Sequence, residues 1–378
     1  MSDGNRSVSA SERAIAELLA HADVRLNGDR PWDMTVHRPE LYSRVLASGS
    51  LGLGEAYMDG WWDCPDLEGF FFRVLRANLP SKIKPTWNGF FALLQSKLFN
   101  MQNRRRARKV AEEHYDLDND FYMAFLDPYN QYTCGYFKDT EDLNEAQEKK
   151  LDMICRKLQL KSADKVLDIG CGWGGFSKFA AQHYGCHVTG ITISDEQLAF
   201  ARDYCKGLPV TIERRDYRDV KDSFDKIVIV GMIEHVGYKN YRRIMEVVHR
   251  SLKDDGIFLL HTIGSNKSGT MGDPWLMKYI FPNSMLPSIK QLAEASERLF
   301  VMEDWHNIGA HYTKTLLAWN ENMMRNWQQF AQKYSDRFRR MFEYYFLCCA
   351  GGFHARYLQL WQVVMTKHGI VGGYAAPR

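Results

Sequence analysis

The sequence predicts an α/β protein with a mostly parallel, doubly wound sheet, on three observations. Short apolar runs alternate with helical patterns from about Leu143 onwards, as expected for repeated β-α units. The first of these runs leads directly into a glycine-rich loop, as in nucleotide-binding folds. The chain has 378 residues, of which 45% are hydrophobic. It is therefore long enough for two domains, or for one large domain with a sizeable core.

The strands of this sheet are assigned from apolar runs bounded by turns. Seven are predicted, over residues 165–169, 187–193, 210–214, 224–230, 256–262, 300–308 and 358–367. Helices are predicted over 176–184, 195–206, 241–252 and 288–299, the last capped by Ser288. A long helical insertion, residues 313–353, precedes the last strand. At that position it could cover the carboxyl edge of the sheet, where ligands bind in such folds.

The segment before the sheet is predicted to begin with a small mixed domain over residues 11–67. Ala14, Leu18 and Leu19 mark one face of an amphipathic helix. Short strands and turns are predicted around Arg38-Pro39 and in the glycine-rich stretch 49–54.

The next segment, from Gly69 to Ala111, is both basic and aromatic. It contains ten Lys or Arg residues and no Asp or Glu, and it ends in the cluster Arg104-Arg-Arg-Ala-Arg-Lys109. Cations interleaved with aromatic rings favour an anionic membrane surface. Nucleic acid and a solvated linker are the alternatives.

Composition excludes several other classes of protein. The start of the chain has no apolar run and no stretch of about 18 apolar residues occurs, so neither a signal peptide nor a membrane span is expected. The net charge of +3 says little about partners. The eight cysteines form no C-x-x-C pair. This indicates reduced thiols in the cytoplasm, and no ligand spacing supports a metal site.

The most informative stretch is the strand and loop Val166-Leu-Asp-Ile-Gly-Cys-Gly-Trp-Gly-Gly175. Glycines let the backbone turn tightly and approach a ligand closely. The helix predicted after the loop offers free N–H groups and the positive end of its dipole. This combination suits a cofactor that contains a nucleoside.

Asp168 favours S-adenosylmethionine over a dinucleotide as that cofactor. Gly170, Gly172 and Gly175 satisfy G-x-G-x-x-G, which alone is a weak signal. A carboxylate just before these glycines would sit badly beside a pyrophosphate but attracts an ammonium group. A dinucleotide site also needs an acidic residue after the second strand. Asp195 is near that position, but its context predicts a helix N-cap.

Polar side chains follow several predicted strands, on the edge where the cofactor would bind. They are Glu234 and His235 after the fourth strand, His261 in the fifth, His311 and Tyr312 after the sixth, and Cys134 ahead of the sheet. Any one of these residues, taken alone, would more often have a structural role than a functional one. Glu234 is the hardest to dismiss, because buried carboxylates are rare unless they are paired. Their convergence on one edge predicts a reaction site.

At these residues the chain resembles the cyclopropane-fatty-acyl-phospholipid synthases, with the mycolic-acid cyclopropane synthases as more distant relatives. Seven motifs carry the resemblance in order: residues 114–122, 132–134, 167–174, 192–197, 234–237, 261–263 and 311–315. The resemblance implies a class I methyltransferase, Rossmann-like fold with a seven-stranded sheet, a smaller N-terminal lipid-binding domain and a helical insertion before the last strand. It implies three parts: an N-terminal lipid- or membrane-binding domain (1–100), a basic linker and active-site cap (101–142), and a catalytic domain (143–378).

The resemblance also implies the reaction and its setting. The methylene carbon of S-adenosylmethionine is transferred to a cis double bond in a phospholipid acyl chain, through a carbocation-like species, and a bound bicarbonate ion is the base. The implied partners are a bilayer with unsaturated acyl chains and an anionic surface, with no nucleic acid. A homodimer in the cytoplasm, peripherally associated with the inner face of the cell membrane, is expected. An RNA or small-molecule methyltransferase and a non-catalytic lipid-binding module are the alternatives.

The family motifs assign roles to individual residues. The bicarbonate ligands would be Glu234, His261, Tyr312 and Cys134, the last through its backbone amide, with Ile263 lining the pocket. The cofactor ligands would be Tyr132, Thr133, Asp168, Gly170, Cys171, Gly172, Gly174, Thr192, Gln197, Asp216 and Tyr217. Because a cation in an apolar pocket favours aromatic faces, further linings are predicted from Tyr136, Phe137, Tyr279, Phe281 and Trp305.

Cys349 matches a cysteine once assigned as a nucleophile in this family. An alkene has no electrophilic centre for a thiolate, and the reaction needs no covalent enzyme intermediate. Packing is therefore the interpretation that the chemistry favours for Cys349.

Overall fold

The computed structural model describes residues 9–79 and 119–378. The basic cluster 104–109, the first part of the family motif at 114–122 and the predicted domain boundary at residue 100 lie outside the described residues.

The N-terminal part consists of three helices and a small pair of strands. The elements are α1 (Ala10–Ala20), β1 (Thr35–Val36), α2 (Glu40–Met58), β2 (Trp62–Asp63) and α3 (Leu67–Arg76). Helix α1 begins where the Ser9 hydroxyl accepts a hydrogen bond from the N–H of Glu12, and it buries Ile15 and Leu19. The predicted amphipathic helix is thus present, and β1 pairs with β2 in antiparallel fashion.

The prediction of strands over residues 49–54 is wrong, because this stretch belongs to α2. A turn is present only at Gly49, whose non-helical φ of 57° divides α2 into two helical segments at a kink. Gly54 serves close packing instead of a turn, since a Cβ atom there would lie 2.4 Å from Cδ1 of Trp275. The glycines therefore allow α2 to approach an indole ring that lies far along the chain.

The central sheet has the predicted seven strands. They are β3 (Lys165–Ile169), β4 (His187–Thr192), β5 (Val210–Arg214), β6 (Phe224–Val230), β7 (Leu252–Ser265), β8 (Val301–Asn307) and β9 (Leu358–Thr366). Their order is β5-β4-β3-β6-β7-β9-β8. Strands β3 to β7 pair in parallel, whereas β9 is antiparallel to both of its neighbours. The predicted α/β fold with a mostly parallel sheet is confirmed.

Helices cover both faces of this sheet. They are α4 (Asn119–Met123), α5 (Leu143–Lys157), α6 (Gly175–Tyr184), α7 (Asp195–Tyr204), α8 (Tyr241–Ser251), α9 (Pro274–Tyr279) and α10 (Ile289–Ser296). Ser288 caps α10 as predicted, in a reciprocal pair of hydrogen bonds with Gln291. The predicted N-cap at Asp195 is wrong by one residue. The Ser194 hydroxyl caps α7, and Asp195 forms an ion pair with Arg214 at 2.6 Å.

The predicted helical insertion lies between β8 and β9. It consists of α11 (His311–Asn326) and α12 (Asp336–His354). One hydrophobic core joins the insertion to the N-terminal helices. Tyr344 of α12, for example, packs against Tyr57, Phe71 and Trp275. No helix of the described residues combines the length and hydropathy that crossing a bilayer requires.

Candidate active site

A cavity of about 300 Å³ lies at the carboxyl ends of the parallel strands. Ligands bind at this edge in doubly wound folds, because the loops that follow neighbouring strands diverge there. One half of the cavity wall comes from the glycine loop and from the ends of β4 and β5. The other half comes from the ends of β6 and β7 and from α11.

The glycine loop leads from β3 to the N-terminus of α6. Gly170 has a φ of 80°, a conformation that other residues rarely adopt, and its N–H donates to the carbonyl oxygen of Ile191 at 2.9 Å. A Cβ atom on Gly170 would lie 2.6 Å from Cγ of Met232, so only glycine fits here. The loop therefore keeps the backbone at the cavity wall, where a ligand can approach it closely.

Asp168, at the end of β3, is only 2% exposed and lines the cavity. The Ser177 hydroxyl donates to its Oδ2 at 2.8 Å. Burial raises the pKa of the Asp168 carboxyl to about 7. A cationic ligand group beside it would favour the ionised form, so this site fits the ammonium group of S-adenosylmethionine.

The ends of β4 and β5 supply the remaining polar groups of this half. The Thr192 hydroxyl donates to Oε1 of Gln197 at 3.2 Å, and both side chains are buried at the cavity. Asp216 and Arg218 form an ion pair at 2.8 Å next to Tyr217. The predicted cofactor residues that line the cavity are Tyr132, Thr133, Asp168, Gly170, Cys171, Gly172, Thr192, Gln197, Asp216 and Tyr217. Gly174 does not line it, because it is the N-cap of α6 and lies against Ala201 and Cys205.

Glu234 follows β6 and is the buried carboxylate of the other half. Its Oε1 accepts a hydrogen bond from the backbone N–H of Ile263 at 2.7 Å. Its Oε2 is buried and has no hydrogen-bond partner among the described residues, since the Thr262 hydroxyl donates to the carbonyl oxygen of Ile263. Burial raises the pKa of Glu234 to about 7, which favours its protonated form relative to that of an exposed glutamate.

His261 and Tyr312 line the cavity beside Glu234. The Gln362 amide donates to Nδ1 of His261 at 3.3 Å. Nε2 of the same ring is buried and has no partner in the described part of the chain. Burial lowers the pKa of His261 well below its usual range, which keeps the ring neutral. The Tyr312 ring stacks on Phe353 with the centroids 4.4 Å apart.

Neither of the two cysteines predicted as catalytic residues, Cys134 and Cys349, lines the cavity. The Cys134 thiol is fully buried, accepts from the Thr315 hydroxyl at 3.7 Å, and has its pKa raised to about 12 by burial. Its backbone N–H makes no hydrogen bond to a described residue. Cys349 is half-buried on α12.

The aromatic lining differs from the prediction. Phe281 lines the cavity, but Tyr136, Phe137, Tyr279 and Trp305 do not. Sequence reasoning missed Asn130, Gln131 and Met232, whereas His235, which the sequence places on this edge after the fourth strand, does line the cavity. Gln131 could have been identified as a site residue, because it lies directly before the family motif 132–134. Across residues 9–79 and 119–378, no three His, Cys, Asp or Glu side chains are grouped so that they could hold a metal ion.

Comparison with known protein families identifies the family to which this chain belongs. A model of the mycolic acid cyclopropane synthetase family matches residues 102–363, more than half of the chain. The chain belongs to this family. The predicted family is thus confirmed, and the chain is a methyltransferase that uses S-adenosylmethionine.

Relatives within and around the family agree with this assignment. The chain is 52% identical over 366 residues to the cyclopropane-fatty-acyl-phospholipid synthase of Escherichia coli K12, covering 97% of this chain and 96% of that protein. It is 29% identical to the tuberculostearic acid methyltransferase UfaA1 of Mycobacterium tuberculosis, covering 97% and 91% of the two chains.

Solved structures of cyclopropane synthases share the fold. The mycolic acid cyclopropane synthase CmaA1 in complex with SAH and CTAB has a TM-score of 0.64 and 30% identity, covering 69% of this chain and 98% of that one. MmaA2 of Mycobacterium tuberculosis has a TM-score of 0.65 and 27% identity, covering 71% and 100%.

Proposed function

We propose that this enzyme transfers the methylene carbon of S-adenosylmethionine to the cis double bond of unsaturated acyl chains in membrane phospholipids and so forms a cyclopropane ring. One observation carries the proposal: the half of the cavity that contains Asp168 opens directly onto Glu234, His261 and Tyr312. A methyl donor and a site for a proton acceptor would therefore share one cavity. The name of the Escherichia coli relative supports the same reaction.

When bound, S-adenosylmethionine supplies an electrophilic methyl group, and bicarbonate supplies a base for the proton released on ring closure. Asp168 would hold the ammonium group of the cofactor, and Thr192 and Gln197 its ribose. An alkene is a weak nucleophile, so the methyl group must be aimed closely and water kept out. Ile263, Phe281 and other apolar side chains of the wall would exclude that water.

The chemistry of the second half fits a small oxyanion such as bicarbonate. His261 offers Nε2–H and Tyr312 offers its hydroxyl. The backbone N–H of Cys134 is a further donor without a described partner, next to the cavity-lining Thr133. Glu234 in its protonated form adds a donor at Oε2. Buried donors without partners are costly, which favours an anion that satisfies them together.

The product lipid tests this proposal directly. Incubation with methyl-labelled S-adenosylmethionine and vesicles of cis-monounsaturated phospholipid is expected to add one CH₂ unit to the acyl chain and to remove its olefinic NMR signal. Vesicles of saturated phospholipid are the control and should gain no label. Label in a head group or in RNA, with the alkene intact, would instead support the alternative of another methyltransferase.

We also propose that the enzyme is a cytoplasmic homodimer that binds peripherally to the inner face of the cell membrane. The basic cluster 104–109 of the sequence supports the membrane-binding part of this proposal. Changing Arg104, Arg105, Arg106, Arg108 and Lys109 to Gln is expected to weaken binding to anionic vesicles at least about ten-fold at low salt, because each cation near such a surface contributes about 1 kcal/mol.

Vesicle sedimentation at several salt concentrations measures this effect. The control replaces five exposed lysines of the catalytic part with Gln: Lys161, Lys165, Lys206, Lys221 and Lys290. Equal losses in the two variants would mean that net charge, and not the cluster, attracts the membrane.

A further inference from the structure

Lys150 is a fully buried lysine that none of the family motifs contains. It lies on α5, beneath the cavity wall. Its Nζ donates to Oε1 of Gln131 at 2.5 Å and to the hydroxyl of Thr133 at 2.9 Å. Both acceptors line the cavity. Gln147 of the same helix adds a bond from its Nε2 to the carbonyl oxygen of Thr133 at 2.7 Å. Helix α5 thus fixes the backbone and side chains of residues 131–133 from below.

Charged groups from several elements surround this ammonium group. Its titratable neighbours are Asp127 and Cys134 in the segment before α5, Asp168 at the end of β3, and His261 on β7. Asp127 is buried and accepts from the backbone N–H groups of Gln131 and Tyr129 at 2.8 Å each. Burial lowers the pKa of Lys150 to about 8, while the attraction of Asp127 and Asp168 opposes this shift.

The charge of Lys150 shifts the pKa values of its neighbours in the direction that the proposed site needs. Its positive charge lowers the pKa of Asp168, against the upward effect of burial. The same charge lowers the pKa of His261 further. An ionised Asp168 can attract an ammonium group, and a neutral His261 keeps one nitrogen as an acceptor and the other as a donor.

We infer that Lys150 is a positioning residue of the cofactor site: its ammonium group holds Gln131 and Thr133 at the cavity wall and adds a positive charge near the Asp168 carboxyl. This inference rests on the proposed role of Asp168 in binding the ammonium group of the cofactor. It assigns a function to a buried cation that does not itself line the cavity.

The test is the pH dependence of ligand binding. S-adenosylhomocysteine is the probe, because it carries the same ammonium group and is stable to alkali, and calorimetry measures its Kd from pH 6 to pH 9. Lys150→Met keeps the length of the side chain but removes the charge, so the pKa of Asp168 rises. The variant is expected to bind roughly ten-fold more weakly than the wild type near pH 7. The difference should shrink towards pH 9, where Asp168 is ionised in both proteins and Lys150 itself has lost its proton.

Lys157 provides a matched control on the same helix. It is equally buried and its pKa is likewise lowered to about 8, but its Nζ donates to Asp304 at 3.0 Å, away from the cavity wall. Lys157→Met is expected to lower the melting temperature and to leave the Kd of S-adenosylhomocysteine unchanged at every pH. If Lys150→Met weakens binding equally at pH 7 and pH 9, Lys150 is only structural and the inference is wrong.

A second variant covers the case in which Lys150→Met does not fold. The double variant Asp127→Asn/Lys150→Met removes Lys150 together with the buried carboxyl group that attracts it, so neither charge is left without the other. The same loss of binding, larger at pH 7 than at pH 9, is expected. A loss of equal size at the two pH values would overturn the inference.

Asp168→Asn separates the two proposals. If this variant binds S-adenosylhomocysteine as well as the wild type does, the proposed role of Asp168 fails. If it binds weakly while the charge-balanced double variant binds normally, only the role of Lys150 fails.

Discussion

Replacing Glu234 with Gln is expected to reduce kcat by about a thousandfold while the Kd of S-adenosylhomocysteine changes less than about two-fold. The substitution keeps the volume and the acceptor for the Ile263 N–H. It removes the ability of the buried side chain to exchange a proton, and it places an NH₂ group where Oε2 has no described partner. Product formation on vesicles measures kcat, and calorimetry measures binding.

Glu303 supplies the control for this substitution. Its Oε1 also accepts from a backbone N–H, that of Ile370 at 2.8 Å, but it lies on β8 and does not line the cavity. Glu303→Gln should leave kcat unchanged. A large increase in the Kd of Glu234→Gln for S-adenosylhomocysteine would place Glu234 in the cofactor half and contradict its proposed role.

Replacing Asp168 with Asn is expected to raise the Kd of S-adenosylmethionine about a hundredfold at pH 7.5, because a buried charge-assisted hydrogen bond to the ammonium group is lost. The effect should be confined to ligands that carry that group. Methylthioadenosine, which lacks the amino-acid portion, is the matched ligand and should bind both proteins equally. Equal losses for the two ligands would mean that the substitution distorts the glycine loop instead.

The sequence is informative about the sheet because its signals are local. Strands β6, β7 and β9 each contain a continuous apolar run, and the Ser288 capping box lies within four residues. The carboxyl ends of parallel strands meet at one edge, so Asp168, Glu234 and His261 could be placed together without a structure. Their common position follows from the topology alone.

The errors arise where a residue's role depends on a partner distant in sequence. The glycines of α2 were interpreted as turn formers, but Gly54 faces Trp275, and no local pattern announces that contact. Lys150 resembles a surface lysine in sequence, since its acceptors belong to a loop rather than to its own helix. The prediction of aromatic residues in the cavity lining was wrong for the same reason. Trp305, for example, packs on Trp361 of the neighbouring strand instead of facing the cavity.

The buried carboxyl groups around the cavity affect the stability of the folded protein. Burial raises the pKa of both Asp168 and Glu234 to about 7, so the folded chain binds more protons than the unfolded chain between pH 4 and pH 7. Their contribution to stability is therefore lost as the pH rises through that window. Ligands that neutralise these groups restore it by mass action. The form without the methyl donor would therefore unfold more readily than the form that holds it.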